Sequence, residues 1–210
     1  MSATHSAATR LYLIRHAEVE ERYQRVFGGR IDMGLSPRGR QQAEALAAYL
    51  SRLHFDGLYA SPMKRVQETI APWIVSNGHR PVTCDGLREV DFGAWTGHTW
   101  EEVRARFQQS AFEWLRALET AAIPEAERPA EYQGRVAACL RDILERHPGG
   151  TVAVACHGGV ARMALAHLLE LPLPKLVHFE IDYASVTVVD HRPQRAEVQL
   201  LNYTPWRDTL

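Results

Sequence analysis

The sequence predicts an α/β fold: a three-layer α/β/α arrangement with a mostly parallel central sheet and a helical lid excursion. Two observations carry that expectation. Short apolar runs of the buried-strand type alternate with amphipathic helical segments along nearly the whole chain, and several of those runs break abruptly into polar or glycine-rich loops. The chain has 210 residues, enough for a single domain with a substantial core. One domain over residues 1–210 is expected, with residues 93–131 as its lid insertion.

Each element has a local reason. Residues 9–14 (TRLYLI) have the composition of a buried strand, and the very polar RHAEVEERYQR follows at once, so this strand should open into a functional loop. Ser36 before Pro37 reads as an N-cap with proline at the first helical position, after which Ala43, Leu46, Ala47, Leu50 and Leu53 recur at helical spacing. A strand at 57–60 leads to a second cap-like pair, Ser61-Pro62, and to a helical face of Met63, Val66, Ile70 and Trp73 or Ile74. A short strand at 81–84 precedes the loop-like GLREVDFGAWTG. Residues 99–123 carry Trp100, Val103, Phe107, Ala111, Trp114, Leu115 and Leu118 with few turn formers, which suggests a helical excursion. The segment IPEAERPAEY separates it from a helix over 132–146. TVAVAC, at 151–156, is the clearest buried strand, bounded by Pro148-Gly149-Gly150 and His157-Gly158-Gly159. A helix over 160–169 and strands at 176–181, 185–189 and 197–201 follow, with turns at Asp182-Tyr183 and 190–194.

Composition excludes several classes. Lys plus Arg number 24 and Asp plus Glu 25, so a net charge of -1 gives no general attraction to nucleic acid or anionic lipid. Only Lys64 and Lys175 are lysines; all other basic residues are arginines, the guanidinium forks suited to phosphate or carboxylate. Cys84, Cys139 and Cys156 are too few and too scattered for a disulfide framework or a zinc site. The opening MSATHSAA has no apolar signal-peptide core, and no apolar span approaches about 18 residues. A soluble cytoplasmic protein without nucleic-acid or membrane partners is expected, and a homodimer is left open.

Two strand ends carry a histidine in comparable positions: His16 behind Arg15, and His157 before Gly158-Gly159. Any one histidine usually has a structural or surface role, and Arg15, Arg65 and Glu89 taken singly read as surface charges. Together they have a common chemistry. Arg15 and Arg65 supply fixed cations, Arg65 sits where a helix start also favours an anion, and a neutral imidazole among them can attack phosphorus.

The order of the motifs resembles the histidine phosphatase superfamily, the phosphoglycerate-mutase-like family. LIRHAE at 13–18 is similar to its first signature, with alanine in the usual glycine place. GRIDMGLSPRGRQQA (29–43) retains Asp32, Leu35, Gly39 and Gln42 of a second, YASPMKRVQET (59–69) matches the segment supplying a second arginine, LREVDFGAWTG (87–97) the acidic segment, and VACHGGVAR (154–162) the second histidine motif. The resemblance implies that His16 is the nucleophile and becomes a phosphohistidine, that Arg15, Arg65 and His157 surround the phosphoryl oxygens with a backbone donor near Gly158, and that Glu89 is the general acid and base. It implies no metal and no cofactor, the cationic groups taking over a divalent ion's electrostatic role. Glu18 either orients the His16 loop or caps it; Asp32 and Gln42 look structural, and Cys156 reads as a small core residue.

Departures bear on the substrate. Val19 and Arg22 stand where the family often has threonine and asparagine, so Arg22 either reads a second anionic group or points into solvent. The family's Gly-Glu-Ser segment is reduced to Ala130-Glu131-Tyr132. Trp95, Trp100 and Trp114 either form a substrate-facing wall or a lid core. The middle insertion and tail are shorter than in cofactor-dependent mutases, so a compact, metal-independent phosphomonoesterase acting on a small phosphorylated metabolite is the expectation. A phosphoglycerate-mutase-like phosphoryl transferase and a non-catalytic phosphate-binding regulator are the alternatives.

Overall fold

The computed structural model describes residues 7–207; most of the MSATHSAA stretch and residues 208–210 lie outside the described residues. The elements run β1 (Thr9–Arg15), α1 (Pro37–Leu50), β2 (Gly57–Ala60), α2 (Lys64–Asn77), β3 (Val82–Thr83), α3 (Trp100–Phe107), α4 (Trp114–Glu119), α5 (Pro129–Arg146), β4 (Thr151–Cys156), α6 (Gly158–Leu168), β5 (Val186–Arg192) and β6 (Arg195–Tyr203). They build one six-stranded sheet of order β3-β2-β4-β1-β5-β6. The first four strands in that order are parallel, while β5 and β6 close the far edge antiparallel.

Strand alternation sorts the core into two layers. On β1, Leu11 and Leu13 face one way and Tyr12 and Ile14 the other; on β4, Val152, Val154 and Cys156 oppose Ala153 and Ala155. The face with Tyr12 and Ile14 is covered by Leu46 and Leu50 of α1 and by Val66, Ile70 and Trp73 of α2. The other face is covered by Val136, Leu140 and Ile143 of α5, at helical spacing, and by Val160, Ala164 and Leu165 of α6. Trp95, Val103, Leu115 and Leu118, from the segment over residues 93–131, share that second layer.

Register places the chemistry. β4 inserts between β1 and β2, and Arg15 pairs with Cys156, so the chain leaves both strands at one level. His16 N–H donates to the Cys156 carbonyl at 3.0 Å, and Ser61 N–H to the Ala155 carbonyl at 2.9 Å. Three parallel strands therefore deliver His16, His157 and Ser61 to one edge, the carboxyl edge where α/β folds build sites.

Some elements differ from the sequence expectation, each for a physical reason. No strand forms at 176–181. Leu173–His178 is a 3-10 turn, and the Leu176 and Phe179 carbonyls are taken by the Arg162 guanidinium instead of a ladder. The expected turn at 190–194 is shorter, because β5 runs on to Arg192. Asp190 is tolerated in that strand by a two-point pair with Arg10 of β1, at 2.7 Å each. Ser61 does not cap a helix: α2 starts at Lys64 behind Met63, and the Ser61 hydroxyl lies against His157. The excursion over 99–123 is broken into α3, a 3-10 turn at Ala111–Glu113 and α4, with Gln108 in the left-handed region ending α3.

Candidate active site

The loop after β1 is pinned before any chemistry is considered. Ala17 N–H donates to the Thr69 hydroxyl at 2.9 Å, and Glu18 N–H to the Gln42 side chain at 2.9 Å. The Glu18 carboxylate accepts from the Ser36 hydroxyl at 2.7 Å, whose oxygen in turn caps α1 through Gly39 N–H at 2.8 Å. Glu18 thus orients the loop through the helix cap. A side chain at position 39 would sit 2.0 Å from the Glu18 carbonyl oxygen, so only glycine allows this approach. Asp32 accepts from Lys64 N–H at 3.2 Å, a structural contact at the start of α2.

His16 is 7% exposed and lies beside His157, ring centroids 5.3 Å apart. Its Nδ1 is 2.8 Å from the Ala17 carbonyl oxygen, which can only accept, so Nδ1 carries the proton and Nε2 keeps a lone pair. Burial, then the Arg65 and Arg15 cations, push the His16 pKa well below its ordinary value. The ring is a neutral base held among positive charges.

Arg65 is 2% exposed. Its Nη1 and Nη2 donate to the carbonyls of Ile31 (2.9 Å) and Gly29 (3.0 Å), and its Nε to His157 Nδ1 (3.1 Å). Gly29 is at φ +45°, the left-handed backbone that turns this carbonyl toward the guanidinium. Desolvation brings the Arg65 pKa down to about 10, with Arg15 adding to the fall and Glu89 opposing it. Arg15 donates from Nη1 to the Ile181 carbonyl at 2.6 Å and stacks over the Tyr183 ring at 4.1 Å, while its buried Nε has no partner. Arg162, one turn into α6, spends Nε, Nη1 and Nη2 on the carbonyls of Leu176, Gly158 and Phe179. Burial, then Arg15, lower its pKa to about 10.

Glu89 reaches the site from the turn after β3. Its two carboxylate oxygens accept from Val90 N–H (3.0 Å) and Gly159 N–H (3.1 Å). A Cβ on residue 159 would stand 2.5 Å from the Glu89 carboxylate, so the second glycine of the His157-Gly158-Gly159 run is what lets the acid in.

These groups line a cavity of ≈ 340 Å³ that holds Arg15, His16, Arg65, Glu89 and Gly158 together, with Arg162 beside them. Its remaining wall combines apolar and aromatic residues, including Val26, Phe27, Phe92, Trp100, Trp114 and Tyr183, with the carboxylates of Glu180 and Asp182. The tryptophans divide: Trp95 is core, whereas Trp100 and Trp114 face the cavity. Two residues singled out in the sequence do not line the cavity itself. His157 is fully buried behind His16, with Nδ1 facing Arg65 and Nε2 at 2.8 Å from the Ser61 hydroxyl. Arg22 points outward, its side chain 71% exposed and paired with Glu20 at 2.8 Å. Sequence reasoning read Ser61 as a helix cap and gave Thr69 and Arg162 no role. Arg162 had a signal, since it follows Gly158 by four positions on a helix and so shares its face. Among the described residues no group of three or more His, Cys, Asp or Glu is arranged to hold a metal ion.

A neutral imidazole facing arginines that lack carboxylate partners, with a carboxyl group opposite, defines a phosphoryl-handling site on a three-layer α/β fold. The chain belongs to the histidine phosphatase superfamily, branch 1, whose family model matches residues 11–204. Phosphoserine phosphatase 1 of Hydrogenobacter thermophilus is 32% identical over 195 residues, 93% of this chain and 92% of that protein. The adenosylcobalamin/alpha-ribazole phosphatase of Escherichia coli is 26% identical, covering 92% of this chain and 95% of that one. Among solved structures, a phosphoserine phosphatase mutant of Entamoeba histolytica in complex with phosphoserine superposes with a TM-score of 0.78 at 25% identity, over 93% of this chain and 98% of that one. The chain is a histidine-phosphatase-type hydrolase.

Proposed function

We propose that this hydrolase cleaves phosphomonoesters of small metabolites through a phosphohistidine on His16. The observation that carries the reading is the tautomer: Nδ1–H is committed to the Ala17 carbonyl, which leaves the Nε2 lone pair as the nucleophile. In the first step Nε2 attacks phosphorus, the P–O bond to the leaving group breaks, and Glu89 in its protonated form gives that oxygen its proton. In the second step the Glu89 carboxylate takes a proton from water, the hydroxide equivalent attacks phosphorus, and the P–N bond breaks to release phosphate and neutral His16. Arg15 and Arg65, with the start of α6 at Gly158, oppose the charge on the equatorial oxygens. His157 orients Arg65 and backs the His16 ring.

A cavity of ≈ 340 Å³ with aromatic residues in its wall supports a small ester as substrate. Phosphate release from purified protein, measured as kcat/KM across phosphorylated amino acids, glycerates, sugars, nucleotides and alpha-ribazole phosphate, tests the assignment. A parallel phosphoglycerate isomerisation assay separates it from a mutase. The proposal expects hydrolysis of at least one metabolite with no isomerisation; isomerisation without hydrolysis would replace hydrolase by transferase.

A further inference from the structure

We propose that Cys84 and Cys139 form a reversible dithiol–disulfide couple that staples the segment presenting Glu89 to α5. The two thiols face each other at 2.8 Å, across 55 positions of sequence, while both are free in this structure. The approach belongs to the backbones as well as to the rotamers. A Cβ placed on Gly86 would lie 2.9 Å from the Arg135 carbonyl oxygen and 3.2 Å from the Cys139 Cβ, so the turn at Asp85–Leu87 rests directly on α5. Arg135, one helical turn before Cys139, fixes the same turn by donating to the carbonyls of Gly86 (2.8 Å) and Arg88 (2.6 Å). Glu89 is the next residue. With the two elements held together and the sulfurs already 2.8 Å apart, the thiols need close by less than about 1 Å to reach bonding distance.

The chemistry needs a two-electron oxidant, and hydrogen peroxide supplies it. Cys84, the more exposed of the pair, attacks the peroxide oxygen; the O–O bond breaks, Cys84 becomes a sulfenic acid, and one water leaves. The Cys139 thiol then attacks the Cys84 sulfur, the S–O bond breaks, and a second water carries away the hydroxyl group and the thiol proton. Two thiols are oxidised by two electrons and one peroxide is reduced to two waters. Burial, then the facing Cys84 thiol, pushes the Cys139 pKa up, which makes it the resolving partner and not the attacking one. Cys156 is fully buried at the end of β4 and takes no part.

The staple closes a long loop and therefore acts on the unfolded chain, holding the Glu89 segment where it already sits. The full-length protein, treated with hydrogen peroxide or with dithiothreitol, is assayed for free thiols after denaturation, by peptide mapping without reductant, and by thermal unfolding. The expected result is one titratable thiol in place of three, a cross-link between the peptides carrying Cys84 and Cys139, and a rise in Tm of roughly 5–15 °C that dithiothreitol reverses. Three thiols retained, a disulfide between two chains, sulfinic acid at Cys84, or the intramolecular cross-link without a Tm rise would each overturn the proposal. These readouts do not depend on turnover, so they stand or fall apart from the phosphatase reading.

Discussion

Two cavities among the described residues invite comparison, and the smaller one is the candidate active site. The larger, ≈ 730 Å³, lies where β1 and β4 begin, against Thr9, Gly149, Arg141, His167, His191, Arg192 and Arg195. Two of the arginines there are paired with a carboxylate in the ordinary way: Arg192 and Arg195 both reach Glu197, at 3.2 and 2.7 Å. At the carboxyl edge the reverse holds. Arg15, Arg65 and Arg162 donate to main-chain carbonyls and to His157, and none of the three donates to a carboxylate. Buried positive charge without a partner is costly, and it is retained where an anion will supply the missing charge. The lesson of the comparison is that arginines held by main-chain carbonyls instead of carboxylates, and not volume, mark the site.

The comparison can be broken by substitution. His16→Ala should lower kcat/KM by roughly 10⁴-fold or more, because no other neutral imidazole lines the cavity among the described residues. Retained turnover would move the nucleophile elsewhere. Glu89→Gln comes next: it should slow alkyl phosphates by about 10² to 10⁴ and a good leaving group such as nitrophenolate far less. Equal damage to both would make Glu89 a structural prop for Gly159. His157→Leu removes the acceptor of Arg65 Nε, and the loss of about one to two decades in kcat/KM should be accompanied by weaker binding of inorganic phosphate. Unchanged phosphate affinity would mean that Arg65 is held well enough by Gly29 and Ile31.

Acid sharpens the same contrast. His16 and His157 both have pKa values well below 6.5 in the folded protein, chiefly through burial. Below pH 6.5 the unfolded chain therefore binds protons that the native state refuses, so stability falls as pH falls toward the folded values. Two such groups give a slope of up to about 2–3 kcal/mol per pH unit, which denaturant unfolding at about pH 7 and about pH 5.5 would detect. A flat profile would show that the rings are more solvated than their burial indicates. The smallest effects belong outside the site: Arg22→Asn and Arg141→Ala should each change kcat/KM by less than about twofold. A selective loss in Arg22→Asn on a phosphorylated acid would restore the second-anion role that its exposed pairing with Glu20 argues against.

Much of this was legible in the residues, and the reason is local. Buried strands announce themselves by an apolar run, and where β1 and β4 end in RH and HGG the polar residues stand at a strand's carboxyl edge by construction. Pairing of Arg15 with Cys156 could not be read that way, because the register of a parallel pair is set by the crossover and the packing of distant helices. Ser61 was misread for a related reason. A serine before proline has the signature of a helix cap, and only the neighbouring strand shows that its hydroxyl belongs to His157. The Leu173–His178 turn was hidden by apolar composition, since a long-range donor, Arg162, decides the fate of its carbonyls. Local pattern located the site; partners remote in sequence decided what each side chain does there.

The central claim is that His16 attacks through Nε2, and rapid quenching of the wild-type protein with a radiolabelled phosphomonoester tests it most directly. The account predicts an acid-labile, base-stable phosphoenzyme that maps to His16, with the phosphate on Nε2 because Nδ1 holds its proton against the Ala17 carbonyl. Phosphate on another residue, on Nδ1 of His16, or turnover with no covalent intermediate at any quench time would contradict it.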